Sequence, residues 1–175
     1  PVVTGMAAEG HPYRGVLYAG VMIARGRPRV LEFNCRFGDP ECQPLLMRLD
    51  SDLLELIEAT MAGRLGQATA DWDPRTSLCV VQVAGCYPGK YAKGHSIEGL
   101  GAVPDGEQLK VFHGGTARQG GRAVTSGGRV LSITALGSDL AEAQRRALDA
   151  ADRITWPGVF YRRDIGYRAL AGSPE

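Results

Sequence analysis

The sequence predicts an α+β fold: short antiparallel strands in two groups, with one capped helix closing the second group. Three observations predict it. Residues rich in Val, Leu, Ile and Tyr flank the turn signal Arg25-Gly26-Arg27-Pro28. Strand-type runs recur after residue 76, and an apolar helical stripe opens at Asp139.

Tyr13 to Ala24 suits a strand, and Arg29 to Asn34 resumes as a second, so the two read as an antiparallel hairpin. Strict alternation in the second strand puts Val30, Glu32 and Asn34 on one face and Leu31 and Phe33 on the other. Continued extended backbone would add Arg36 to the Glu32 and Asn34 face. Gly38-Asp39-Pro40 reads as a turn and Glu41 to Leu49 as a short helix. Ser51 reads as the cap of a helix carrying Leu53, Leu56, Ile57, Thr60 and Met61, with Gly63 as its stop. Polar residues around Asp73-Pro74 mark a boundary, giving a first unit over 1–65, a linker over 66–76 and a second unit over 77–172.

In the second unit, Ser77 to Ala84 is a buried-type strand, followed by the glycine-rich loop Gly85 to Gly94. Lys110 to His113, Gly121 to Thr125 and Arg129 to Ala135 are further strands, the last two separated by Ser126-Gly127-Gly128. Asp139-Leu140-Ala141-Glu142 has the form of a capping box. Leu140, Ala143, Ala147, Leu148, Ala151 and Ile154 form the stripe that follows. Trp72 and Trp156 read as core or boundary aromatics.

Charge and composition exclude several function classes. Twenty basic and nineteen acidic residues leave a formal charge of +1, so no net field favours nucleic acid or an anionic membrane. No apolar run is long enough to cross a bilayer. Cys35, Cys42, Cys79 and Cys86 show no zinc or Cys-x-x-Cys spacing, and they read as free thiols in a reducing cytoplasm. Pro1-Val2-Val3-Thr4 has no signal-peptide pattern, and Pro1 to Glu9 reads as the end of an earlier segment, so the chain is expected to be a fragment.

The segment Leu31-Glu32-Phe33-Asn34-Cys35-Arg36-Phe37-Gly38-Asp39-Pro40-Glu41 carries the chemistry. Magnesium prefers oxygen ligands and takes only one or two from protein when nucleotide phosphate and water complete its shell. A carboxylate and an amide oxygen on one strand face can supply that share, although a Glu-x-Asn on a strand is ordinarily a solvated polar face. An arginine beyond them can reach an anionic substrate. The loop from Tyr87 to Gly94 offers Lys90, Lys93 and backbone N–H groups to a phosphate, against the ordinary reading of a tight surface turn. His113 with Thr116 lacks a visible carboxylate partner. Arg162-Arg163-Asp164 reads equally as a phosphate site and as a surface ion-pair cluster.

Glu-Phe-Asn-x-Arg-Phe-Gly-Asp-Pro-Glu closely resembles the signature of the glycinamide ribonucleotide synthetases. The stretches Gly15 to Gly20, Arg48 to Leu53, Gly85 to Gly94, Val111 to Thr116, Thr125 to Leu131 and Phe160 to Gly166 resemble that family too. The resemblance implies the C-terminal lobe of an ATP-grasp domain followed by a small mixed sheet-and-helix domain. It implies ligation of glycine to 5-phosphoribosylamine with ATP, through an acyl phosphate, giving glycinamide ribonucleotide, ADP and phosphate. Glu32 and Asn34 then match ligands of a magnesium or manganese ion. Arg36 and Asp39 fall where substrates meet the metal, and Lys93 is a candidate substrate contact. The family's N-terminal part is the expected missing partner, and without it the fragment is expected to be inactive. Position 114 is Gly where the family carries Ala, and Gly15 to Ala24 contains no acid to serve as a third ligand. A biotin-dependent carboxylase shares Glu-x-Asn-x-Arg but not the Gly-Asp-Pro-Glu continuation or the Tyr-Pro-Gly loop. A non-catalytic folding or interaction module is the other alternative.

Overall fold

The structure is a computed structural model that describes residues 1–172. Its contacts group into two compact units, residues 1–38 with 49–73, and residues 39–48 with 74–172.

The first unit begins with α1 (Val2–Ala8), followed by a hairpin of β1 (Tyr18–Ala24) and β2 (Arg27–Asn34). Arg25 and Gly26 both hold positive φ, as a two-residue turn of primed type requires. The first strand starts later than Tyr13, because Gly15 adopts a φ of 136° and the Tyr13 hydroxyl donates to Val16 O at 2.5 Å. Gly20 pairs with Glu32 and Val21 with Val30, so Leu31 is a surplus residue, a β-bulge. Strict alternation therefore fails at this point. Val30 takes the face of Val21 and Glu32 the face of Gly20, which places Val30 opposite Glu32 rather than beside it.

After a separate helix, α2 (Cys42–Met47), which belongs to the second unit, comes α3 (Leu53–Met61). Asp52, not Ser51, caps α3: its carboxylate accepts from Leu54 N at 2.7 Å. Ser51 instead accepts from Asp71 N through its hydroxyl at 2.7 Å, tying the chain back to the segment before Asp73. At the other end Gly63 has positive φ, and Arg14 donates to Met61 O at 3.1 Å, placing a cation on the unsatisfied carbonyls. Trp72 is 44% exposed and bridges to Leu49, so it is not a core residue.

The second unit is built on an antiparallel sheet of β3 (Thr76–Val83), β4 (Leu109–His113) and β7 (Arg129–Gly137), with β7 central. A two-stranded ribbon of β5 (Thr116–Gln119) and β6 (Arg122–Thr125) lies between β4 and β7 in the chain. The short polar β5 was not visible in the sequence. α4 (Leu140–Ala151) packs on β3 and β7, and α5 (Tyr167–Leu170) ends the described chain. On one sheet face Leu78, Val80, Ile133 and Ala135 meet Ala143, Ala147, Ala150 and Ala151 of α4, with Ile154 and Trp156 closing the core. Small residues on the helix let it lie close. A Cβ on Gly137 would stand 2.4 Å from Ala143 N. α2 also packs against β3 and β7, which is why residues 39–48 group with this unit.

Both ends of α4 are tied by side chains. Asp139 accepts from Glu142 N at 2.8 Å, as a capping residue should. Glu142 reaches past the cap to Ser138, accepting from its N–H at 2.7 Å and its hydroxyl at 2.8 Å, so the reciprocal bond of a capping box is displaced by one residue. At the far end the fully buried Gln82 donates to Ala151 O at 2.8 Å and Ile154 O at 3.1 Å. It thereby gives the Ile154 carbonyl a donor and adds a second one to Ala151 O, which also accepts from Ile154 N at 3.2 Å. Among the described residues no helix is long and apolar enough to cross a membrane.

Candidate metal and substrate site

In the first unit, pairing in β2 sets Glu32 opposite Gly20 and Asn34 opposite Tyr18, on one face of the hairpin. The side chains meet: Asn34 Nδ2 donates to Glu32 Oε1 at 3.1 Å. Gly20 leaves Glu32 its room, since a Cβ there would stand 3.1 Å from Glu32 Cγ. Glu32 is exposed and Asn34 half-buried. A carboxylate and a neighbouring amide, both reachable from solvent, fit a hard divalent cation, with the amide turned to present its oxygen. No group of three or more His, Cys, Asp or Glu side chains among the described residues is placed to hold a metal.

Arg36 departs from expectation. The extended backbone stops at Asn34, and the chain bends at Cys35 and Arg36. Arg36 does not continue the β2 face; its Nη1 donates to Phe37 O at 2.8 Å.

The remaining candidates lie in the second unit. Asp39 is exposed, and Arg129 engages it twice: Nη1 donates to Asp39 O and lies 3.4 Å from Asp39 Oδ2. Hydrogen bonding with Tyr87 is the largest influence on Arg129 and holds its guanidinium above the ordinary arginine value; partial burial opposes this, and the charge of Asp39 adds to it. Lys93 is exposed, with Nζ 6.0 Å from the Tyr91 ring centroid, and the Tyr91 and Tyr87 centroids are 6.1 Å apart. His113 Nδ1 and Thr116 Oγ1 share a hydrogen bond at 3.0 Å.

The arginine cluster near the end is an ion-pair cluster. Arg162 binds Asp164 through two parallel bonds, at 3.0 and 2.8 Å, and Arg163 binds Asp152 and Tyr161. Their guanidinium groups are committed to carboxylates rather than free for a phosphate. Arg129 and Tyr87 were given no role by sequence reasoning. The signal available was the position of Arg129 directly after the Ser126-Gly127-Gly128 turn.

Residues 77–168 match the family described as phosphoribosylglycinamide synthetase, C domain, and residues 1–42 match its ATP-grasp (A) domain. The chain is similar to phosphoribosylamine–glycine ligase of Vibrio cholerae, at 59% identity over 172 residues, covering 98% of this chain and 40% of that protein. The corresponding protein of Allochromatium vinosum is 61% identical with the same coverage. A crystal structure of phosphoribosylamine–glycine ligase from Thermotoga maritima superposes with a TM-score of 0.80 at 32% identity, over 92% of this chain and 39% of that one. The chain thus spans about 40% of the length of the curated relatives it matches. With family matches at both ends and high identity throughout, the chain belongs to the phosphoribosylglycinamide synthetase family.

Proposed function

We propose that this chain supplies the metal-binding strand and C-terminal part of a ligase that joins glycine to 5-phosphoribosylamine at the expense of ATP. The products are glycinamide ribonucleotide, ADP and phosphate, in purine biosynthesis. The observation that carries the reading is the pair of adjacent oxygen donors, Glu32 and Asn34, on one face of β2 within a chain of this family. Together they would hold a divalent cation, which neutralises nucleotide phosphate charge when bound. Two hard oxygen donors favour magnesium and accept manganese. Arg36 is assigned to an anionic substrate; among the described residues its exposed guanidinium has a neighbouring carbonyl to release. Asp39 is assigned to substrate and Lys93 to a substrate phosphate. Four free cysteines suit a reducing cytoplasm, and the near-zero net charge offers nothing to nucleic acid or membrane.

Relatives more than twice as long imply that the rest of the ATP-grasp domain lies outside these residues, and the 175-residue piece is expected to be inactive alone. The test supplies ATP, magnesium, glycine and phosphoribosylamine to the full-length polypeptide and, separately, to this piece. Glycinamide ribonucleotide should form only with the former. ADP formation by the full-length protein with other substrates, and not with these, would reject the reading.

A further inference from the structure

Arg129, at the first position of β7, sits on an unusually constrained stretch of backbone. Gly115 N donates to Arg129 O at 2.8 Å, and Ser126 N and Gly127 N both donate to Gly115 O, at 2.7 and 3.0 Å. A Cβ on Gly115 would stand 2.5 Å from Gly127 Cα, so the two chain segments are in backbone contact. Ala84 N donates to Gly128 O at 2.8 Å, fastening the same turn to the end of β3. A Cβ on Gly128 would lie 2.2 Å from Tyr87 Cδ2. The Tyr87 ring therefore rests on bare backbone, against the residue that directly precedes Arg129. The guanidinium that emerges reaches both the main-chain carbonyl and the carboxylate of Asp39 with one nitrogen.

An exposed ion pair contributes little to stability, and here the two side chains are 43% and 58% exposed. A purely stabilising role leaves unexplained why one nitrogen reaches both the main-chain oxygen and a carboxylate oxygen of a single residue. That geometry fixes where Asp39 sits and where its carboxylate points.

We propose that Arg129 is a positioning residue of the ligation: seated on the Gly115 and Gly128 backbone and flanked by Tyr87, it sets the backbone and carboxylate of Asp39 for substrate. The proposal rests on the reading of Asp39 as a substrate-facing carboxylate. It predicts that activity is lost through geometry rather than folding, since a displacement of about 1 Å can cost up to about a hundredfold in rate.

The experiment uses the full-length polypeptide with Arg129→Ala, Arg129→Lys, Asp39→Asn, and Arg129→Ala with Asp39→Asn combined. The measurements are kcat and KM for glycine and phosphoribosylamine, and Tm. Arg129→Ala should lower kcat/KM by about ten- to a hundredfold with Tm nearly unchanged. Arg129→Lys should recover part of the loss, because an ammonium still reaches one of the two oxygens. The double variant should be no worse than the worse single one, as expected of residues acting as a unit. Full activity of Arg129→Ala beside an impaired Asp39→Asn overturns the proposal alone. Full activity of Asp39→Asn overturns the reading of Asp39, and the proposal with it. A fall of several degrees in Tm that accounts for the lost activity makes Arg129 a structural staple and also overturns the proposal.

Discussion

Asn34 Nδ2 and Glu32 Oε1 are hydrogen-bonded at 3.1 Å across a single intervening residue of β2. The bond holds the carboxylate and the amide as one unit on the strand face. A cation would replace the shared hydrogen, with the amide turned by half a rotation to offer its oxygen.

Glu32→Gln keeps the shape of the pair and removes its charge. Turnover of the full-length enzyme should fall by at least about a hundredfold, since phosphoryl chemistry at a metal depends on that charge. The circular dichroism spectrum and Tm should be unchanged, because Glu32 is exposed. Near-normal kcat in saturating magnesium would remove Glu32 from the ligand set.

Arg36→Lys retains a cation but loses the planar fork. The side chain is exposed, with a contact to Phe37 O, so Tm should barely move while kcat/KM falls. An early melting transition with unchanged kinetics would assign Arg36 to structure instead.

Gln82→Leu strips the side-chain donor from Ile154 O and from Ala151 O, the latter keeping Ile154 N, in a fully buried position. It also removes a buried Oε1 that has no protein partner, which partly offsets the cost. The net expectation is a loss of about 1–2 kcal/mol, read as a lower urea midpoint with an unchanged slope. An unmoved midpoint would mean that water takes over the Ile154 carbonyl.

Asp152 titrates below its ordinary value of 3.8, held there first by hydrogen bonds from Arg163 and then by Tyr161. A carboxylate depressed in the folded state stabilises above its unfolded value, and that contribution is lost as pH falls through the lower folded value. Wild-type urea midpoints should therefore decline on acidification below about 4, and the decline should be shallower in Asp152→Asn. Parallel acid limbs for the two proteins would show that the Arg163 contact does not persist in solution.

Legibility followed the strength of local signals. The hairpin was readable from its Arg25-Gly26 turn between apolar runs, the helix from Leu53 from its period and the Gly63 stop, and the helix from Leu140 from its period and the Asp139 cap. α1 was hidden by Val2, Val3, Thr4 and Gly5, all poor helix formers with no capping side chain. β5 was hidden because its four residues, Thr-Ala-Arg-Gln, carry no apolar alternation and depend on β6 for pairing. The adjacency of Glu32 and Asn34 followed from alternation alone. The bulge at Leu31 and the bend at Cys35 did not, since both are set by cross-strand register and chain direction rather than by residue type. Arg129 was unreadable as a partner of Asp39, because ninety positions separate them and only the folded sheet brings them together.

The surplus Leu31 stands immediately before Glu32 and is 64% exposed. A bulge bends its own strand and sharpens the local twist, so the hairpin is an elbow and not a straight ribbon. Its forearm runs from Arg27 to Val30 and its upper arm from Glu32 to Asn34, both paired to β1. The Arg25-Gly26 tip belongs to the forearm, on the far side of the bulge from the two oxygen donors.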